Sequence, residues 1–156
     1  MPKNYDPQEV EPQLIDMWME AGAYRRSKGV GDCTVTIPPP NVTGMLHMGH
    51  ALDDTIQDTI VRYNRMKGYS TRWILGTDHA GIATQTKVDK KLKSEGISRL
   101  EIGREKFIDA CWDWTHEYGG IIVDQIKRMG CSVDFEGERF TMDPGYAKAV
   151  RKVFCD

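Results

Sequence analysis

Two histidines three residues apart, His47 and His50, close an eleven-residue segment from Pro40 to His50 that is rich in proline and glycine. The segment lies between an apolar run ending at Ile37 and a long amphipathic stretch beginning near Ala51, so it joins a strand to a helix. Unpaired backbone amides and the positive end of a helix dipole receive phosphate at such a junction. Imidazole N–H groups there stabilise charge developing on phosphate oxygens, and residues three apart on a helix reach one phosphate chain without either acting as a nucleophile. The first reading is therefore a nucleotide site, with His47 and His50 as its catalytic donors. A carboxylate follows at a second junction, Asp78 within Gly76-Thr77-Asp78-His79-Ala80-Gly81. A carboxylate at the end of a buried strand needs a cation or several donors to offset its desolvation, or it caps the next helix; the residues alone leave both roles open.

Pro38-Pro39-Pro40-Asn41 running into His47-Met48-Gly49-His50, followed by the Asp78 loop, resembles the front half of the catalytic domain of class I aminoacyl-tRNA synthetases, and among them the valine–tRNA ligases. His47-Met48-Gly49-His50 stands where these enzymes have a His-Ile-Gly-His signature. Isoleucine enzymes carry Asp-Cys-His-Gly at the second motif, and leucine enzymes approach the signature differently. The resemblance runs from about Tyr5 to the last residue; Met45 departs from it, standing where the family often has a small polar residue. It implies that ATP meets Pro40, Asn41, Thr43, Gly44, His47, Gly49 and His50, with adenine lying against the bare Gly49 backbone. It implies a valine site at Pro38, Pro39, Asn41 and Asp78, where Asp78 holds the ammonium and His79 either orients it or contacts ligand. The implied reaction joins valine and ATP, with Mg2+, into valyl-adenylate and pyrophosphate, then passes valine to its tRNA. Proofreading against threonine, which a hydrophobic pocket rejects only about a hundredfold, has no segment here. Neither have the lysine-rich catalytic loop and the anticodon-binding domain, so the resemblance implies a fragment, inactive alone and carrying a half-site. The alternatives are another nucleotidyltransferase of the same superfamily and a non-catalytic binding fragment.

Composition narrows the class. A chain of 156 residues with 40% hydrophobic content buries one ordinary core. Its apolar runs are only a few residues long, and Met-Pro-Lys-Asn-Tyr-Asp at the start lacks a basic-then-apolar layout, so neither a membrane span nor a secretory signal is expected and the cytoplasm is the expected compartment. The net charge of −2, with basic residues clustered only from Lys87 to Lys93, gives no strong nucleic-acid footprint; that cluster reads as a solvated helix face. Cys33, Cys111, Cys131 and Cys155 are widely spaced and read as reduced thiols, with no zinc site expected.

The elements that must position these residues follow from periodicity. Pro12 suits a first helical position, with Leu14, Ile15, Met17 and Trp18 as an apolar face and Gly22 as the stop. Cys33 to Ile37 reads as a buried parallel strand. Leu52, Ile56, Ile60 and Tyr63, with Thr55, Thr59 and Met66, mark the core face of the next helix, which ends at Gly68. Arg72 to Leu75 is a second strand and Ile82 to Glu95 a helix. Arg104 to Met129 is one helix or two joined at Gly119-Gly120, with Trp112, Trp114 and Tyr118 in ordinary packing. Glu138 to Met142 is a third strand, and Asp143-Pro144 caps a final helix whose Ala147, Val150, Val153 and Phe154 meet no stop signal before Asp156. Strands alternating with helices predict an α/β, Rossmann-like parallel sheet with flanking helices, whose right-handed crossovers bring both motif loops to one sheet edge. The expected organisation is a helical lead-in over 1–31 and the first half of a nucleotide-binding domain over 32–156. Lacking its other half, such a sheet exposes apolar surface, and self-association is expected.

Overall fold

The computed structural model describes residues 4–26 and 28–156; the start of the N-terminal layout read above lies outside the described residues. Among the described residues five helices and three strands follow in the order α1 (Pro7–Glu20), β1 (Asp32–Thr36), α2 (Met48–Met66), β2 (Ser70–Thr77), α3 (Gly81–Ser94), α4 (Arg99–Arg128), β3 (Asp134–Phe140) and α5 (Pro144–Cys155). The sheet order is β1-β2-β3, and β1 runs parallel to β2 with Cys33 opposite Thr71 and Val35 opposite Trp73. The α/β, Rossmann-like expectation holds.

The chain divides into two compact units. The first comprises 1–38, 47–75 and 124–138; the second comprises 39–46, 76–123 and 139–156. In the first unit the core is Ile37, Val61, Trp73, Leu75, Ile126, Cys131 and Val133. In the second it is Val42, Val88 and Ile122, with Thr77 and Thr84 buried beside them.

Several boundaries differ from the periodicity, each for a local reason. Asp6 caps α1 by accepting the Gln8 amide at 2.9 Å, so Pro7 takes the first helical position and Pro12 lies inside the helix, without an N–H to give. Gly22 ends it as expected, with a φ of +62°. β1 is an edge strand and alternates between exposed and half-buried; β2, the central strand, holds the fully buried Trp73 and Leu75. The break in α4 is at Gly103, with a φ of +81°, whereas Gly119 and Gly120 stay helical. Pro144 opens α5 behind Asp143 as the N-cap, but the Asp143 carboxylate makes no cap bond: it accepts from the Phe140 amide at 3.1 Å and pairs with Arg139.

The largest difference concerns α2. Its apolar stripe is real but faces outward: Leu52 is 65% exposed, Ile56 55%, Ile60 50% and Tyr63 56%. Thr55 and Thr59 turn their hydroxyls back to the Ala51 and Thr55 carbonyls, at 2.6 and 2.8 Å, and so add methyl groups to that face. The inner side carries Asp54, Asp58, Val61, Arg62 and Arg65. Arg62 pairs with Asp58 at 2.7 Å and donates to the Gly130 carbonyl at 2.7 Å, Arg65 donates to the Ser132 carbonyl at 2.8 Å, and Asp58 accepts the Ser132 amide at 3.0 Å. Polar contacts therefore anchor the helix. Asp54 is buried with Oδ2 unpartnered; burial first, then the neighbouring Asp53 and Asp58 charges, push its carboxyl up to about 6. The same environment pushes the buried Cys131 thiol up to about 12.

Candidate active site

The histidine motif builds a helix cap in the first unit. His47 is the N-cap of α2, in extended backbone, and its Nδ1 accepts the Gly49 amide at 3.1 Å. His50, three residues on, returns the bond: its Nδ1 accepts the His47 amide at 3.1 Å. This is a capping box made from two imidazoles, and it satisfies two helix amides that would otherwise be orphaned. It also sets the chemistry. An amide can only donate, so both Nδ1 atoms are bare and the neutral rings carry their protons on Nε2. Burial first, then the nearby His47, lowers the His50 pKa, which favours its neutral form. The rings lie 4.0 Å apart between centroids, tilted by 40°. The outcome is a pair of Nε2–H donors at the positive end of a helix of 19 residues.

Gly49 has a second demand on it besides the expected adenine contact. A Cβ there would stand 2.9 Å from Cε1 of His47, so a side chain would displace the capping ring.

The carboxylate motif is assembled in the second unit. The Asp78 amide donates to the Pro40 carbonyl at 2.8 Å, and the Val42 amide donates to the Asp78 carbonyl at 3.0 Å. Asn41 is thus bridged in parallel to Asp78, tying the first motif loop to the second by backbone. Pro40 and Val42 are buried, whereas Asn41 and Pro39 are exposed and Thr43 and Gly44 are half-buried. No heavy atom lies within 4 Å of a Cβ built on Gly44, so contacts within the chain do not require glycine there. Pro38, exposed, belongs to the first unit.

Asp78 keeps 34% of its side chain exposed, and its Oδ1 accepts the Thr141 hydroxyl at 2.9 Å and the Ala80 amide at 3.3 Å. The Ala80 contact has the geometry of a turn; Ala80, at φ +43°, is the N-cap of α3 and has no side-chain cap bond. His79 gives its backbone amide to Thr141 Oγ1 at 3.0 Å, and its Nδ1 lies 2.6 Å from that oxygen and 3.2 Å from Asp78 Oδ1. Thr141 was invisible to sequence reasoning, because nothing local marks a threonine 63 residues away as the partner of Asp78. A cavity of about 420 Å³ also lies in this unit, lined by His79, Thr84, Arg104, Phe107, Trp112 and Phe140 among others. Trp112 is 38% exposed along it, while Trp114 packs on Tyr118, 4.2 Å between centroids, and donates to the Val42 carbonyl at 2.8 Å. Lys87, Lys90, Lys91 and Lys93 are exposed on α3. The four cysteines are free thiols, and no described helix is long and apolar enough to cross a membrane.

Comparisons with known proteins show the family. The family described as tRNA synthetases class I (I, L, M and V) matches residues 13–156. The valine--tRNA ligase of Fusobacterium nucleatum is 51% identical over 99% of the chain, and that of Porphyromonas gingivalis 53% identical over 97%. The chain spans about 18% of the length of each. Among solved structures, the ternary complex of Agrobacterium radiobacter K84 agnB2 LeuRS, tRNA and LeuAMS superposes on 98% of the chain and 18% of that protein, with a TM-score of 0.77 at 21% identity, a likeness of fold. The chain belongs to the class I tRNA synthetases, the family of the isoleucine, leucine, methionine and valine enzymes.

Proposed function

We propose that the chain is the ATP and valine half-site of a valine–tRNA ligase. The observation that carries this reading is the double histidine cap of α2, which presents two Nε2–H donors at a helix N-terminus. Adenylate formation is an in-line attack of the valine carboxylate on the ATP α-phosphate with loss of pyrophosphate. It needs positioning and donors to phosphate oxygens more than covalent participation by the protein. His47 and His50 supply the donors. Pro40, Asn41, Thr43, Gly44 and Gly49 shape the ATP side, and Pro38, Pro39, Asn41 and Asp78 the valine side, with Asp78 receiving the ammonium. Mg2+ enters on the ATP phosphates as part of the substrate. Relatives named valine--tRNA ligase, at 51–53% identity, support valine over other amino acids.

The tRNA is engaged through the full-length enzyme, in the cytoplasm. The 156-residue chain by itself associates with a second copy through the outward apolar face of α2. The decisive assay is valine-dependent exchange of labelled pyrophosphate into ATP. The full-length enzyme is expected to show it, and the purified chain to show feeble exchange at most and no charging of tRNA. Exchange driven by isoleucine or leucine and not by valine would overturn the substrate; transfer of labelled valine to tRNA by the chain alone would overturn the half-site.

A further inference from the structure

The bonds made to the Asp78 side chain converge on one oxygen. The Thr141 hydroxyl is 2.9 Å from Oδ1, His79 Nδ1 is 3.2 Å away and the Ala80 amide 3.3 Å. A carboxylate oxygen only accepts, so the single hydroxyl proton of Thr141 points at Asp78. With that proton committed, Thr141 Oγ1 meets His79 Nδ1, 2.6 Å away, as an acceptor. Nδ1 therefore carries hydrogen; the other tautomer would set a bare nitrogen lone pair against two oxygens at once. Thr141 is itself fixed, since its amide donates to the Thr77 carbonyl at 3.2 Å, one residue before Asp78, and its Oγ1 takes the His79 amide at 3.0 Å. Phe140 closes the other side, edge-on to the His79 ring at 6.3 Å.

We propose that Thr141 is a positioning residue of the ammonium site: its hydroxyl, backed by His79 Nδ1–H, occupies Asp78 Oδ1 and leaves Oδ2 as the oxygen presented to the amino group. This rests on the reading of Asp78 as the ammonium partner. It makes the histidines of the two motifs opposite in kind, with a bare Nδ1 on His47 and His50 and Nδ1–H on His79.

Two measurements test it. Long-range 1H–15N correlation spectra of the chain report which ring nitrogens carry hydrogen; Nδ1–H at His79 is expected, and a bare Nδ1 there would overturn the proposal outright. In the full-length enzyme, Thr141→Val is expected to weaken valine binding about tenfold with ATP binding unchanged, and Thr141→Ser, which keeps the hydroxyl, to restore it. Unchanged valine affinity in Thr141→Val, alongside a loss in Asp78→Asn, would refute the positioning role and spare the reading of Asp78. Unchanged affinity in both variants would refute that reading as well. Should Thr141→Val fail to fold, Thr141→Ser and the tautomer of the unaltered chain still decide.

Discussion

The histidine cap and the Asp78 cluster aim polar side chains by contrasting means. His47 and His50 are oriented within one helical turn by amides two and three residues away. Asp78 takes its shortest side-chain bond from a threonine 63 residues further on, while a bridge to Asn41 fixes its backbone. Local bonds of the first kind form wherever the helix forms, so the donors are preorganised by α2 itself. The second kind exists only when the second unit is folded. The donors should therefore tolerate changes in packing that would misplace the carboxylate, and their loss should register in a different kinetic parameter.

The largest expected effect is on the donors. His50→Ala in the full-length enzyme should slow adenylate formation by roughly two to three powers of ten, the loss of one transition-state donor, and leave valine affinity almost unchanged. Single-turnover kinetics measure it, and an equal change in valine affinity would erase the contrast between the two regions.

Next comes the helix that carries the donors. The folded pKa of Asp54 is raised to about 6, against about 4 for an ordinary aspartate, so its folded state holds a proton more tightly. The associated stability is fully present below about pH 4 and is lost as pH rises through about 6, amounting to up to about a hundredfold in the folding equilibrium. Melting curves from pH 4 to 8 should show this loss, and Asp54→Asn should remove most of the pH dependence. An identical profile in the variant would mean that the buried carboxylate is not the source.

A smaller effect belongs to the carboxylate. Asp78→Asn should weaken valine binding about tenfold to a hundredfold, with ATP binding nearly intact, which calorimetric titration resolves. A lowered melting temperature with unchanged valine affinity would instead make Asp78 a structural residue.

The smallest effect tests the outward face of α2. Sedimentation should show concentration-dependent association of the chain, relieved by Ile56→Glu without loss of the fold. A monomer across a wide concentration range would mean that the exposed stripe drives nothing.

These contrasts follow how far each feature reaches along the chain. The capping segment, the strand-helix order and the stops at Gly22 and Gly68 were legible because turn and cap chemistry depends on near neighbours. The α2 stripe shows the limit. Its period of apolar residues was read correctly, yet periodicity gives two faces and does not say which is packed. The arginine and carboxylate contacts of Asp58, Arg62 and Arg65 with Gly130 and Ser132 decided that. Gly103 rather than Gly119 breaks α4, because Gly103 takes a positive φ while Gly119 keeps helical backbone.

By itself the sequence determined the family, the α/β order and the two chemical motifs, because residue type and short spacing suffice for these. It also placed two histidines where a single turn of helix could set their protons. Tertiary structure alone decided which face of α2 is outward, that Asp54 is buried and that Thr141 holds Asp78. Each of these depends on chain segments tens of residues apart approaching within hydrogen-bonding or burial distance, and a hydrogen bond between distant residues leaves no periodic trace in the sequence.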